Sequence, residues 1–548
     1  MPGLKLSLRG KDYAFLRAVA NGWDINLTAP DAYTAVPQLV TAMSRPGNIR
    51  AAFGRLPEEA RAAIETLLAH EGRVAWGQFT RQHGELRQMG ASKRDRERPD
   101  LNPASPVELL WYRGMIAKAF FDQPPEPQEF AYIPEELLET FSELCLVKPF
   151  EWGRPATPGE QDYPTLVNDA IIDYATDYLA AHRIEMEMNA WANFRAHWPE
   201  GMEAFLRNLL YADYLLDDLY NPDPEKIKGF LMSTRGAALG ELAKAWMRSQ
   251  TINELKLLPS IEVDEDIDNN PFGTRKAVLD LLSHVPNDKW WNLQSFIQAV
   301  HERESDFQRP GGNYGAWYIK DRETSVILSG FENWYEVDGA LLEYIITGPM
   351  HWLGYFDLSS NRPDGKPLAF RHSSWAQRLW GGAGPTELVN HEDKITVGHA
   401  GTIHVPVSAP RWLRYQVARF CDWQQVKGEG EHLVYDFRVT PKSLRRANTQ
   451  GLKPSQLIKL LQAHVEEPPP QGFEQAMENW EKGGTQALIQ SAKLLRFSDP
   501  EALVKLKQSD AAKLIREELN DTTVLVNAHD APELIKLLTE MGILVNEE

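Results

Sequence analysis

The residues that could carry out catalysis are few. The sequence contains no G-x-x-x-x-G-K-[ST] phosphate loop, no H-E-x-x-H zinc motif, no G-x-S-x-G nucleophile turn and no set of protein-kinase signatures. Asp217 and Asp218, followed by Asn221, form an acidic pair of the kind that binds a metal diphosphate, but no second acidic cluster accompanies them. We therefore predict no catalytic residues and no cofactor, and an enzyme centred on this pair is the weakest of three hypotheses.

A second acidic motif resembles a calcium loop without completing it. Asp264, Asp266 and Asp268 alternate as calcium ligands do. Asn269 stands where the tight turn needs glycine, and Arg275 stands where a bidentate glutamate closes the site. A solvated linker accounts for this pattern better than a cation site, so the sequence predicts no bound metal.

Residues that could bind phosphate groups are concentrated between Arg81 and Arg98. The segment RQHGELRQMGASKRDRER contains more basic than acidic residues, although the chain as a whole is acidic. Phosphate contacts from such a segment position a protein on DNA and make its binding depend on salt. The predicted contacts are Arg87, Lys93, Arg94, Arg96 and Arg98. A solvated loop, whose arginines pair with neighbouring acids or with another domain, is an equally weighted alternative.

A second basic strip lies in the carboxy-terminal part of the chain. Its members are Arg411, Arg414, Arg419, Arg438, Lys442, Arg445 and Arg446. In the predicted helix PKSLRRANTQGL, Leu444 and Ala447 face inward, so Arg445 and Arg446 flank its apolar side. These two arginines are the second predicted DNA contact, and internal salt bridges are the alternative.

The elements around the first strip are typical of a winged helix. Pro57 and two acids begin one predicted helix, and a shorter element ending in Gly84 follows it. Ser105 is a predicted cap of a third helix, with Glu108 three residues later. Two strands, predicted at 115–121 and 130–133, come next. The third helix of such a domain enters the major groove of DNA, and the hairpin forms its wing.

The order of elements predicts a mainly helical α+β, multidomain protein. A similar order of helices and wing strands recurs after the acidic linker near residue 264, and it includes a predicted strand at 325–330. In the carboxy-terminal α/β domain, the last predicted strand is 543–545. The predicted domains are a helical cap (1–55), a winged-helix-like domain (56–150), a helical connector (151–270), a second winged-helix-like domain (271–400) and an α/β domain (401–548).

Composition limits the partners that the protein can have. The 548 residues carry 58 Lys and Arg against 77 Asp and Glu, a net charge of −19, which excludes an indiscriminate coat of nucleic acid or anionic membrane. Two cysteines are too few for a disulfide framework, and no apolar run is long enough to span a membrane. We expect a cytoplasmic protein with no membrane partner.

The carboxy-terminal domain resembles a known family. The phrases RVTPKSLRRA and GLKPSQLIKLL, followed by LLRFSDPEALVKL, are similar to the helicase-associated domain at the amino terminus of XPB-type helicases and in stand-alone bacterial proteins. This resemblance implies a domain that accompanies unwinding machinery and helps in substrate recognition or partner contact. The chain lacks the Walker A and DEAH segments of XPB, so the resemblance implies an accessory protein without a motor.

Two main functional hypotheses follow. The first is a non-enzymatic accessory protein that binds duplex or forked DNA weakly and in a salt-dependent way. The second is an interaction scaffold for a helicase motor subunit or another transcription or repair protein. One continuous positive surface would favour DNA binding, whereas isolated basic patches paired with acids would favour the scaffold.

Overall fold

The structure is a computed structural model. It describes residues 1–121, 128–145, 151–217, 221, 223–309, 311–398, 401–485, 487 and 492–546. About half of the chain is helical, and the strands form several small antiparallel sheets, which confirms the predicted mainly helical α+β, multidomain class. The chain divides into a large unit (Met1–Lys394, Val405–Arg419 and Trp423–Phe437) and a small unit (Ile395–His404, Phe420–Asp422 and Arg438–Glu548). The finer division into five domains stays a prediction.

The amino-terminal part of the large unit is helical with one small sheet. Its helices are α1 (Leu4–Ser7), α2 (Tyr13–Gly22), α3 (Ala32–Met43), α4 (Pro46–Gly54), α5 (Glu58–Ala69), α6 (Trp76–His83), α7 (Ala91–Glu97), α8 (Pro106–Tyr112) and α9 (Glu135–Leu144). Its strands are β1 (Arg73–Ala75), β2 (Ala117–Phe121) and β3 (Gln128–Tyr132). The strands lie in the order β1-β3-β2, with all pairs antiparallel. The loop between β2 and β3 lies outside the described residues.

Local sequence signals explain why these helices begin where they do. The Ser105 hydroxyl accepts a 3.0 Å hydrogen bond from the Glu108 amide, and Pro106 occupies the first turn of α8, so both predicted start signals are confirmed. Buried apolar side chains of α1–α6, α8 and α9 form one amino-terminal core, which includes Leu16, Leu110 and Phe141. The first helices therefore pack directly onto the elements that follow them.

The middle of the large unit contains the next set of elements. Its helices are α10 (Ala170–Arg183), α11 (Met188–Phe194), α12 (Met202–Ala212), α13 (Pro224–Met232), α14 (Arg235–Arg248), α15 (Glu254–Leu257), α16 (Pro271–Leu282), α17 (Leu293–Arg303), α18 (Ala340–Ile345) and α19 (Ala376–Trp380). Its strands are β4 (Tyr163–Thr165), β5 (Ile261–Val263), β6 (Trp291–Asn292), β7 (Ile319–Asp321), β8 (Phe356–Ser360) and β9 (Ala369–His372). π-Helical turns, Tyr335–Gly339 and Ile346–Met350, extend α18 at both ends.

Strand order repeats between two of the sheets in the large unit. The second sheet has the order β4-β8-β9-β6, so β6 pairs with β9 and β9 pairs with β8. In the first sheet, β1 likewise pairs with β3, and β3 pairs with β2. In both cases a short strand between two helices joins the second strand of a later hairpin. The predicted similarity in element order therefore extends to strand pairing.

The predicted strand at 325–330 is wrong. A tight turn interrupts the chain there, because the Asp321 carboxylate accepts a 2.7 Å hydrogen bond from the Thr324 amide and Ser325 has a φ of +59°. After this turn only Ile327 pairs, in a single bridge to Lys320. The sheet here consists of β5 and β7.

The remaining elements complete both units. In chain order they are β10 (Thr396–Val397), β11 (Thr402–Pro406), α20 (Arg411–Phe420), β12 (Asp422–Lys427), β13 (Val434–Arg438), α21 (Pro441–Thr449), α22 (Pro454–His464), α23 (Gln471–Gly483), β14 (Lys493–Arg496), α24 (Pro500–Lys507), β15 (Ile515–Asn520), β16 (Thr523–Val526) and α25 (Ala531–Glu540). Within the small unit, β10 pairs with β11, and the last three strands form a sheet in the order β14-β16-β15. β12 and β13 are neighbouring strands.

The chain after α25 does not form the predicted strand at 543–545. Gly542 has a φ of +82°, and the Ile543 amide donates a hydrogen bond back to the Leu538 carbonyl, which closes the end of the helix. Ile543 and Val545 instead pack against a carboxy-terminal core. The buried members of this core are Phe497, Leu503, Leu506, Ala511, Val524, Val526, Leu534 and Leu538.

Within the described part of the chain, we find no helix whose length and apolar character would let it cross a membrane.

Candidate nucleic-acid interface

The first predicted contact, Arg87, lies against a buried carboxylate. Its Nη2 atom donates a 2.6 Å hydrogen bond to Oε2 of Glu108, and its Nε atom lies 3.0 Å from both Glu108 oxygens. The Glu108 side chain is fully buried, and it also accepts a 2.7 Å bond from the Ala104 amide. Arg87 therefore neutralises the carboxylate at the start of α8.

Three further predicted contacts, on or next to α7, also lie beside acids. Arg94 is only 11% exposed and lies 2.6 Å from Asp12 and 2.8 Å from Asp95. Lys93 lies 3.8 Å from Glu97, and Arg98 lies 2.7 Å from Asp100. Most of the positive charge of the first strip is therefore balanced by carboxylates.

Arg96 is the exception in the first strip. Its side chain is exposed, and no carboxylate of the described residues lies within ion-pair distance of it. One isolated guanidinium gives only weak attraction to DNA, because each phosphate contact adds only a part of the binding energy.

The helix that follows the first strip has no free face for a DNA groove. Val107, Leu110 and Tyr112 of α8 are buried. The Tyr112 ring packs at 5.5 Å on Phe15 of α2, measured between centroids. Trp23 donates a 2.7 Å hydrogen bond to the Arg113 carbonyl at the end of α8. The amino-terminal helices therefore cover the element that the sequence predicts to enter the major groove.

The helix that precedes the hairpin β8–β9 is α18 with its two π-helical turns, and it takes the place that α8 has in the first sheet. This helix is largely buried and acidic. The chain contains no lysine or arginine between Glu323 and Asn361. Asp338 is fully buried and accepts hydrogen bonds from Arg309, at 3.1 Å, and from Gln308, at 2.7 Å. This helix thus lacks both the exposure and the positive charge that contact with DNA requires.

The first two arginines of the second strip are part of the interior of the large unit. The Arg414 side chain is 1% exposed and lies 2.7 Å from Asp173 and 3.2 Å from Asp177. Arg411 is 4% exposed and donates hydrogen bonds to the carbonyls of Phe230 and Ser233. Neither residue can reach a nucleic acid.

The remaining two predicted contacts differ from each other. Arg446 is half-buried, lies 3.2 Å from Asp422 and donates a hydrogen bond to the Cys421 carbonyl. Arg445 is exposed, and its Nη1 atom lies 3.0 Å from the Thr485 hydroxyl, which is a neutral partner. The Arg445 charge is therefore exposed on the surface, whereas Arg446 holds α21 against Cys421 and Asp422.

Sequence reasoning missed the extent of the basic region around Arg445. From Phe437 to Val465 the chain contains no aspartate or glutamate, and its six basic residues are Arg438, Lys442, Arg445, Arg446, Lys453 and Lys459. A count of acids over this window would have found the region without a structure. All six except Arg446 are exposed. We call residues 437–465 the basic segment; all of its cations lie in the small unit.

The basic segment folds as two helices joined by a short turn. Thr440 caps α21 by accepting a 3.0 Å bond from the Ser443 amide, and its hydroxyl donates a 2.6 Å bond to Asp422. Gly451 lies between α21 and α22 with a φ of +76°, a conformation that favours glycine. α21 and α22 are therefore joined by a four-residue turn, 450–453.

Most cations of the basic segment are exposed on the surface. Ser443, Leu444 and Ala447 of α21 are buried, whereas Lys442 and Arg445 are exposed. Among the described residues, no carboxylate lies within ion-pair distance of Arg438, Arg445, Lys453 or Lys459. The arrangement can therefore attract phosphate groups.

The acidic pair considered as a catalytic centre has a local structural role at Asp217. Its Oδ1 atom accepts a 2.8 Å hydrogen bond from the Asn221 amide. Asp218 lies outside the described residues. Across the described ranges, no group of three or more His, Cys, Asp or Glu side chains is arranged to hold a metal ion.

Neither a family model nor a curated protein matches the chain. The resemblance to the helicase-associated domain therefore stays a prediction.

Proposed function

We propose that this chain is a non-enzymatic DNA-binding accessory protein with a helicase-associated domain and no motor, and that it contacts DNA through the basic segment. The observation that carries the proposal is the acid-free run of 437–465, whose exposed lysines and arginines lie on a helix pair. A local field of this kind attracts phosphates even when the net charge of the protein is negative.

Two winged-helix-like domains are part of this proposal. Helix order and the strand orders β1-β3-β2 and β8-β9-β6 support them, because a winged helix pairs its first strand with the second strand of its hairpin. In both domains the third helix is buried, in one case under α2 and in the other around Asp338. These domains are therefore proposed to organise the large unit, and the DNA contact is assigned to the small unit.

A salt-dependent gel shift tests the proposal. At about 50 mM salt, where electrostatic binding is strong, the full-length protein should retard duplex and forked DNA. Replacing Lys442 and Arg445 together by glutamine should abolish or strongly reduce the shift, because two exposed charges are removed from α21. Lys366→Gln, at an exposed lysine of the large unit, is the matched control and should leave the shift unchanged. An absence of retardation by the unaltered protein would refute DNA binding.

An interaction scaffold is the second candidate. It is favoured by the pairing of Arg87, Arg94 and Arg98 with acids and by the burial of both third helices. A scaffold should capture a helicase motor subunit from a nuclease-treated mixture, and the double substitution at Lys442 and Arg445 should not weaken that capture. This result, together with no shift of DNA, would replace the first proposal by the second.

A further inference from the structure

We infer that the small unit recognises the phosphate backbone of duplex DNA along the outer face of α21, independently of base sequence, and that α22 does not read bases. This inference rests on the proposed DNA-binding function. It specifies the kind of DNA that is bound and the helix that binds it.

The amino terminus of α22 is already occupied by protein groups. In helix-turn-helix proteins, residues at the start of the second helix contact base edges. Here the Ser455 amide and hydroxyl both donate to the Glu481 carboxylate, at 3.0 and 3.2 Å. Oε1 of Gln456 accepts a 2.8 Å hydrogen bond from the Lys453 amide. The Ser455 side chain and the Oε1 atom of Gln456 are therefore engaged within the protein, and the Glu481 carboxylate at this terminus repels phosphates.

The outer face of α21 carries a different set of groups. Lys442 and Arg445 lie three residues apart on one face, and exposed Asn448 and Thr449 continue it by a further turn. Arg438, the last residue of β13, lies three residues before α21 and is also exposed. These side chains are cations or hydrogen-bonding groups, which are the kinds of residue that contact DNA phosphates.

The composition of the surface favours duplex over single-stranded DNA. Proteins that bind single strands stack the bases on aromatic side chains. Between Arg438 and Gly472 the sequence contains no phenylalanine, tyrosine or tryptophan. A surface with cations and no stacking rings can neutralise closely spaced duplex phosphates but gains little from unpaired bases.

Fluorescence anisotropy with the full-length protein tests this inference. The probes are two labelled DNA duplexes of unrelated sequence, one matching single strand and one RNA duplex, each titrated over a range of salt concentrations. Both DNA duplexes should bind with the same affinity, the single strand should bind more weakly, and the RNA duplex should bind no more tightly than the DNA duplexes. Arg445→Gln should weaken both duplexes equally and reduce the slope of log affinity against log salt by about 1. Lys366→Gln should change neither quantity.

The outcomes separate the inference from the proposed function. If no probe binds at about 50 mM salt, DNA binding itself is refuted. If duplex DNA binds but one sequence is strongly preferred, or the single strand or RNA duplex binds more tightly, only the inference is overturned. The same holds if Arg445→Gln changes the affinity for one duplex and not for the other. Thermal melting of each variant checks that the fold is retained.

Discussion

At the residue scale, Arg87 and Arg445 have the same charge but different surroundings. Arg87 is bonded to the fully buried carboxylate of Glu108, whereas Arg445 contacts a neutral hydroxyl on the surface. Arg87→Gln leaves Glu108 without its cation, so we expect the melting temperature to fall by about a few degrees while affinity for duplex DNA is retained. Arg445→Gln should weaken the affinity for duplex DNA and leave the melting temperature unchanged. Melting curves and anisotropy titrations on both variants measure this; a loss of DNA affinity in Arg87→Gln without a change in melting would contradict it.

A buried carboxylate in the large unit makes stability depend on pH. Burial raises the pKa of the Asp177 carboxyl to about 7, although Arg414 lies 3.2 Å away. The ordinary value is 3.8, so between these values the folded protein binds more protons than the unfolded chain. The contribution of Asp177 to stability therefore falls as the pH rises through this window. Asp177→Asn should remove that contribution, so the difference in unfolding free energy between the unaltered protein and the variant should change between about pH 5 and about pH 8 in urea unfolding.

The neighbouring Asp173 provides the matched control. Burial acts to raise the pKa of its carboxyl as well, but Arg414 and Arg235 outweigh burial and keep that pKa below its ordinary value. It lies 2.7 Å from Arg414 and 2.5 Å from Arg235. Asp173→Asn leaves both guanidinium groups short of a carboxylate, and we expect a loss of about 3–5 kcal/mol at both pH values. If Asp173→Asn and Asp177→Asn change the unfolding free energy by the same amount at both pH values, the two carboxyls do not differ in pKa as stated here.

At the scale of elements, two helical glycines have opposite roles. A Cβ on Gly240 of α14 would lie 2.5 Å from the Gly384 amide nitrogen and 2.8 Å from its Cα, both rigid backbone atoms. A Cβ on Gly229 of α13 would meet nothing within 4 Å. Gly240→Ala should therefore destabilise the protein by about 1–3 kcal/mol, whereas Gly229→Ala should stabilise it by up to about 1 kcal/mol. Chemical denaturation measures the unfolding free energy of both variants. Stabilisation by Gly240→Ala would show that the loop containing Gly384 can move away from α14.

Elements with local signals could be predicted from the sequence, and their long-range partners could not. Ser105 and Pro106 mark the start of α8, and Pro441 marks that of α21, because capping and proline geometry act within one turn. The burial of α8 depends on Phe15 and Trp23, which are distant in sequence, and no periodicity reveals that contact. The same applies to the bond between Arg94 and Asp12. Basic residues were therefore predictable, and their neutralisation was not.

At the scale of the whole molecule, the distribution of charge matters more than its sum. The net charge of −19 opposes general attraction to DNA, and most cations of the first strip are paired with acids. The basic segment differs because no acid interrupts it between Phe437 and Val465. A protein with this distribution should bind DNA at one place and release it as salt rises, since each phosphate contact is lost by counterion competition.

Separate apolar cores should make unfolding depart from a single cooperative step. The amino-terminal core contains Leu16, which is fully buried, and the carboxy-terminal core contains Leu534, which is 2% exposed; the two cores share no residue. Leu16→Ala and Leu534→Ala should each lower the free energy of unfolding by about 2–5 kcal/mol, the first in the amino-terminal core and the second in the carboxy-terminal core. Calorimetry should show more than one transition, and each substitution should lower a different one. If both variants shift one common transition, the cores unfold together and this prediction is wrong.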